Sequence, residues 1–133
     1  MIINHVPLSH CAQVWPDIEA YFIEACKLND DYTIDQIKGS VCTGNWMLLI
    51  LVEDNKIHGA ITVNFINMPN ARVAFVTAIG GRLISSKDTY RQLAEIVKQF
   101  GATKIQGAVK ESIARLWGRY GFKECYRIVE VNI

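Results

Sequence analysis

No two cysteines in this sequence have the C-x-x-C spacing of a zinc or dithiol site. The four, Cys11, Cys26, Cys42 and Cys125, stand far apart, so they read as reduced, mostly packed thiols of a cytosolic protein. Histidine is scarce, at three residues. His10 beside Cys11 is poor spacing for two ligands of one zinc ion, and His5 and His58 complete no pattern, so no metal is expected. No run of 18 apolar residues exists, and no transmembrane helix is expected. The opening Met-Ile-Ile-Asn-His lacks a basic region followed by an apolar one, so no signal peptide is expected and the location reads as cytoplasmic. There is no internal repeat, low-complexity segment or linker. Half of the residues are apolar and the net charge is +1, which argues against disorder. A chain of 133 residues is expected to form one domain over 1–133.

The chain is organised around Ala71 to Phe122. Ala71–Ile79 is rich in β-branched and aromatic residues and reads as a strand. Gly80-Gly81-Arg82 breaks it. Ser85-Ser86 opens a helix with Tyr90, Leu93, Ala94, Val97 and Phe100 on one face. Gly101 ends that helix, and Lys104–Val109 is a second short strand. A helix over Glu111–Tyr120 follows, with Ile113, Leu116, Trp117 and Tyr120 on one side, and Gly121 stops it. Two strands joined by such a crossover should be parallel.

Ahead of this unit, Met1–Val6 reads as a strand ended by Pro7. His10 to about Leu28 has helical spacing, with Pro16 expected in its first turn. Thr33 and Gln36 fit a capping box opening a short helix to about Cys42. Trp46–Val52 suits a strand buried on both faces. Asp54-Asn55 is a two-residue hairpin signal. The return strand should place Ile57, Ile61, Val63 and Phe65 on one face, and His58, Ala60, Thr62 and Asn64 on the other. Lys123–Ile133 alternates enough for a final strand. The expected class is α/β (α+β), a mixed, mostly antiparallel sheet with helices on both faces, in the order β-α-α-β-β-β-α-β-α-β.

Charge divides unevenly. Residues 1–79 hold 4 Lys/Arg and 8 Asp/Glu, whereas residues 80–133 hold 10 Lys/Arg and 5 Asp/Glu. The basic half contains the glycine turn, which fits either an anionic ligand or plain solvated helix faces. Lys110, Arg115, Arg119, Lys123 and Arg127 lie near Trp117 and Tyr120. No helix-turn-helix, zinc or RNA-binding motif accompanies them, so nucleic acid is not the expected partner.

In this order of elements the chain resembles the GCN5-related N-acetyltransferase (GNAT) superfamily over nearly its whole length. The likeness is sharpest at Ala114-Arg-Leu-Trp-Gly-Arg-Tyr-Gly-Phe122, similar to the family's helix and Gly-Phe ending. Gly59-Ala60 is similar to its central strand. The short length and Trp117 resemble small GNAT-like proteins of tailed bacteriophages. The resemblance implies acetyl-CoA as cofactor, with pantetheine on the strand end at Thr77, Ala78 and Ile79. Pyrophosphate would lie at Gly80, Gly81, Arg82, Ser85, Ser86 and Lys87, where backbone N–H groups and the helix dipole favour phosphate. The glycines precede the Arg here, opposite to the family's loop, and the stretch also reads as a glycine turn followed by a helix cap.

The resemblance implies a base and an acid, and both are displaced. Glu111 replaces the Asn that many members carry, and Trp117 replaces the acidic tyrosine. An indole N–H does not protonate a thiolate. Tyr120, one turn on, is the substitute candidate, or else a pocket-wall aromatic beside Trp117. The strands over 57–67 and 71–79 carry no carboxylate, which leaves His58 as candidate base or as a structural histidine. Glu24, Asp30 and Asp31 lie where such folds build the acceptor site, and also read as ordinary helix-end residues. Two functions follow. One is an acyl-CoA N-acyltransferase acting on a small-molecule or protein amine. The other is a non-catalytic GNAT-fold protein of a phage, structural, packaged or host-interacting, with a protein partner or a homo-oligomer interface.

Overall fold

The computed structural model describes residues 1–27, 30–81 and 86–133. Among these described residues nine elements follow in order: β1 (Ile2–Val6), α1 (Leu8–Cys26), α2 (Ile34–Cys42), β2 (Met47–Glu53), β3 (Lys56–Met68), β4 (Ala71–Gly81), α3 (Lys87–Gln99), β5 (Lys104–Gly107) and α4 (Glu111–Gly118). The five strands lie in sequence order. Neighbours are antiparallel except β4 and β5, which are parallel through the α3 crossover. Helices cover both faces. Trp15, Ile18 and Phe22 of α1 and Ile37 and Val41 of α2 pack on Leu48, Ala60 and Ala78. Leu93 and Val97 of α3 pack on Leu49, Leu51, Ile61, Val63, Ala74 and Val76 on the opposite face. Leu48 and its neighbour Leu49 thus point to opposite cores, as expected of a strand buried on both sides.

Local chemistry explains most element boundaries. Thr33 caps α2 with both bonds of a capping box: Gln36 N–H donates to the Thr33 hydroxyl (3.2 Å) and Thr33 N–H to Gln36 Oε1 (2.9 Å). Asp54 and Asn55 both take positive φ, 53° and 60°. This is the turn that matches strand twist in a two-residue hairpin, here closing the Glu53–Lys56 pair. Ser86 caps α3 by accepting Thr89 N–H at 3.0 Å.

Four expectations are corrected. Helix α1 starts directly after Pro7, whose carbonyl accepts His10 N–H at 2.9 Å. Pro16 therefore lies inside the helix rather than in its first turn. Phe100 lies past the end of α3 and is 44% exposed, edge-on to His5 and stacked against Phe65. Ile57 does not share a face with Ile61 and Val63. Leu51 pairs with Gly59 but Val52 with Ile57, so His58 is an extra residue and the alternation changes phase there. Ile57 consequently packs with the α1/α2 core. Last, Lys123–Ile133 has no strand pairing. β5 ends at Gly107 and offers an 11-residue partner only a four-residue ladder.

Candidate functional site

The site grows from a second irregularity, in β4. Thr62 pairs with Ala78, and the next residue, Val63, pairs with Val76, leaving Thr77 as the extra residue of a bulge. Val76 faces the α3 core and Ala78 the α1/α2 core, so the strand changes phase at Thr77. The Thr77 and Thr62 hydroxyls lie 2.7 Å apart, with Thr62 wholly buried. The bulge coincides with the last rung to β5, Val76 with Gly107. Among the described residues, β4 from Thr77 to Gly81 pairs only with β3. This gap between the two parallel strands is the place that the resemblance implies for pantetheine.

Tyr21 fixes the β4 end from the α1 side. Its phenol donates to the Ile57 carbonyl at 2.7 Å, and its own carbonyl rests on Gly80 where a Cβ would lie. Gly81, at φ +113°, packs against the His58 carbonyl and Gly59 with no space for a side chain. These glycines are required by close packing of backbone on backbone, whatever else they bind.

On the other side of the gap stands an aromatic cluster. Trp117 of α4 is 8% exposed. Its six-membered ring abuts Gly107 so closely that a Cβ there would lie 2.9 Å from it. Phe122 packs on Trp117 with centroids 4.9 Å apart, and Tyr90 of α3 stacks on Tyr120 at 6.0 Å. Together with Val76, Ile79 and Ser86 these rings line a cavity of about 30 Å³. Among the described residues no carboxylate or histidine lines it.

The sequence candidates separate accordingly. Ile79, Ser86 and Tyr120 meet at this cavity. Thr77, Ala78, Gly80 and Gly81 flank it along β4, and Lys87 is exposed at the first position of α3. Arg82 and Ser85 lie outside the described residues. His58 is elsewhere: its Nε2 lies 3.2 Å from the Glu53 carbonyl oxygen, engaged with the hairpin turn. Glu24 pairs with Lys27 at 2.9 Å. Glu111, at the start of α4, lies 3.8 Å from Arg115. Sequence reasoning missed Tyr21, Thr62 and Gly107. Nothing in the sequence marks a helix carbonyl, a buried hydroxyl or a strand-end glycine as part of a site. Tyr90 was legible only as one member of an apolar helix face.

Trp117 and Tyr120 line the space beside the free end of β4. Among the described residues no group of three or more His, Cys, Asp or Glu is placed to hold a metal ion. None of the described helices is long and apolar enough to cross a membrane.

No protein-family model matches the sequence, and no curated protein matches it. Solved structures do match in shape. A probable acetyltransferase superposes with a TM-score of 0.73 at 13% identity, over 100% of this chain and 98% of that one. A predicted acetyltransferase from Clostridium acetobutylicum, solved with acetyl-CoA, gives 0.68 at 15% identity, over 98% and 94%. An aminoglycoside acetyltransferase from an uncultured soil metagenomic sample, in complex with trehalose, gives 0.70 at 11% identity, over 98% and 93%. Identity at this level carries the architecture and not the chemistry. The chain has the fold of the GNAT acetyltransferases.

Proposed function

We propose that this GNAT-fold protein does not carry out classical acetyl transfer and acts instead by binding a protein partner. One observation carries the reading: the opening where β4 leaves β5 is lined by the protein's own aromatic side chains around a cavity of only about 30 Å³, with no carboxylate or histidine among the described lining residues. Supporting it, the two groups nearest to an acid and a base are not brought together. Tyr120 is stacked on Tyr90, and the His58 ring is held at the hairpin turn. The likeness to small phage GNAT-like proteins fits a structural, packaged or host-interaction role. Calorimetric titration with acetyl-CoA, and with desulfo-CoA as second ligand, tests the reading. No binding up to millimolar ligand is expected, and micromolar binding would overturn it.

A second reading is an acyl-CoA N-acyltransferase for a small-molecule amine. It is favoured by the free edge of β4 with its bulge at Thr77, and by a neighbour of the same fold solved with acetyl-CoA. On that reading Thr77, Ala78, Ile79, Gly80, Gly81, Arg82, Ser85, Ser86 and Lys87 are the cofactor contacts, and His58 and Tyr120 the base and acid. Transfer activity that falls in both H58A and Y120F variants is the result it requires.

A further inference from the structure

The α1/α2 layer brings two cysteines together that are 31 positions apart in the chain. Cys11, near the start of α1, is 2% exposed. Its thiol is directed back toward the helix start, with Sγ 3.5 Å from the Pro7 carbonyl oxygen and 3.9 Å from that of Val6. Cys42 is the last residue of α2, half-buried, and packs against the same apolar cluster that contains Cys11. The start of α1 and the end of α2 touch at this point. Leu8 lies one helical turn before Cys11, and its Cδ2 is 3.4 Å from where a Cβ on Gly44, two residues beyond Cys42, would lie. Burial raises the Cys11 pKa, and the Cys42 thiol is close enough to raise it further.

Access divides the two thiols. An oxidant in solution meets the half-buried Cys42, whereas Cys11 is sealed from it and is reached from inside the layer. The remaining cysteines lie elsewhere. Cys26 ends α1, about 22 Å along the helix axis from Cys11, and Cys125 is exposed beyond α4. All four are free. The pair sits on the sheet face opposite to the aromatic cavity, so its chemistry is independent of acetyl-CoA.

We propose that Cys11 and Cys42 are a reversible dithiol, closed to a disulfide by a small disulfide oxidant such as oxidised glutathione, and that the bridge locks α1 to α2. The Cys42 thiolate attacks one sulfur of the oxidant, forming a mixed disulfide and releasing one glutathione thiolate. Cys11 then loses its proton and attacks the Cys42 sulfur, releasing the second. Two protein thiols are oxidised to one disulfide, the oxidant is reduced to two thiols, and the two protons pass to them. The bridge closes a loop of about 30 residues and so restricts the unfolded chain. It also ties down the helix whose Tyr21 carbonyl rests on Gly80 at the end of β4.

The variant C26S/C125S leaves this pair alone in the chain. Folded, it is incubated with oxidised glutathione, quenched with acid and digested without reduction. The expected result is an intact mass lower by two hydrogen atoms, loss of both thiols to titration, and a linked pair of peptides containing Cys11 and Cys42. The thermal midpoint is expected to rise and to return to its starting value in dithiothreitol. Adding C42S is expected to abolish the shift and to leave Cys11 unmodified. A glutathione adduct that persists on Cys42, two thiols that stay free, or a link that forms only in urea overturns the proposal, because each means that the folded chain does not bring the sulfurs within bonding reach. A link that leaves the midpoint unchanged or lowers it overturns the locking. Peptide mapping of the oxidised wild-type chain decides the matter even if the variants do not fold: a Cys11–Cys42 link supports the proposal, and its absence overturns it.

Discussion

Replacing Trp117 by Ala separates packing from binding at the candidate site. The indole is 8% exposed and lies against Gly107 and Phe122. A buried aromatic removes roughly 150–250 Å² from water, or about 4–6 kcal/mol at 25 cal/mol per Å². Measured truncations of large aromatics cost about 3–5 kcal/mol once partial collapse is allowed. That is a large share of the roughly 5–15 kcal/mol available to a domain. Urea denaturation followed by far-ultraviolet circular dichroism measures the loss, with W117F as a milder variant. The same proteins, below their unfolding transition, are then titrated with acetyl-CoA. If the ring is what closes the gap, W117A gains affinity that the wild type lacks, although it is the less stable protein. A stability loss under about 1 kcal/mol would refute the packing, because an indole with that little effect is not holding β5 to α4. A loss of the expected size without any gain in affinity would show that the gap is closed by something other than Trp117.

Gly80→Ala places a methyl on the Tyr21 carbonyl, and should cost at least about 1–3 kcal/mol as overpacking, read as a lower urea midpoint. Gly39→Ala is its control: a helical glycine of α2 with open space around it, expected to gain about 0.5–1 kcal/mol. The Asp88 carboxyl is held below its ordinary value, first by the hydrogen bond from Arg91 and then by that from Gln92. A depressed folded-state pKa means that its contribution is present above the ordinary value of 3.8 and is lost as pH falls through the folded value. A carboxyl NMR titration should show a midpoint that rises toward 3.8 in R91A. Burial, with the neighbouring Cys42 thiol, pushes the Cys11 thiol up, whereas Cys125 is exposed. A thiol reagent should label Cys125 in native protein and Cys11 only on unfolding.

The features legible in the sequence are those set by nearest neighbours along the chain. Thr33 and Gln36 fix the start of α2 from three residues apart. Asp54-Asn55 fixes the hairpin because both residues tolerate positive φ. The β4–α3–β5 crossover follows from period and length alone. Three other features were hidden for a common reason: they depend on a partner distant in sequence. Apolar alternation in 57–65 does not reveal the bulge at His58, since Ile57, Ala60 and Ile61 are apolar and both faces of the sheet are buried. The ring of Trp117 reads as one more residue on a helical stripe until Gly107 is found beneath it. The segment 123–133 has the composition of a strand, but composition does not supply an edge long enough to pair with.

The two bulges give the site its shape, and their positions are coupled. His58 shifts β3 so that the Ile57 carbonyl receives the Tyr21 phenol, which draws the second half of α1 onto the ends of β3 and β4. That approach is tolerated only because Gly80 has no side chain. Thr77 shifts β4 at the last rung to β5, so the strand turns Ala78 toward α1 at the point where its other edge loses a partner. A bulge leaves an unpaired backbone group and a displaced side chain, and these features recur beside functional sites. Here the Thr77 hydroxyl is already matched by Thr62, and Trp117 and Tyr120 line the opening. Thr62→Val therefore distinguishes a retired opening from a working one. If the hydroxyl pair only completes the core, the variant loses about 1–3 kcal/mol, the cost of stranding one hydroxyl, and T62V/T77V recovers most of it. If the pair orients a bound thioester, T62V/T77V recovers stability but not ligand affinity. Calorimetry on the double variant against wild type tells the two apart, and recovery of neither would refute the hydroxyl pair itself.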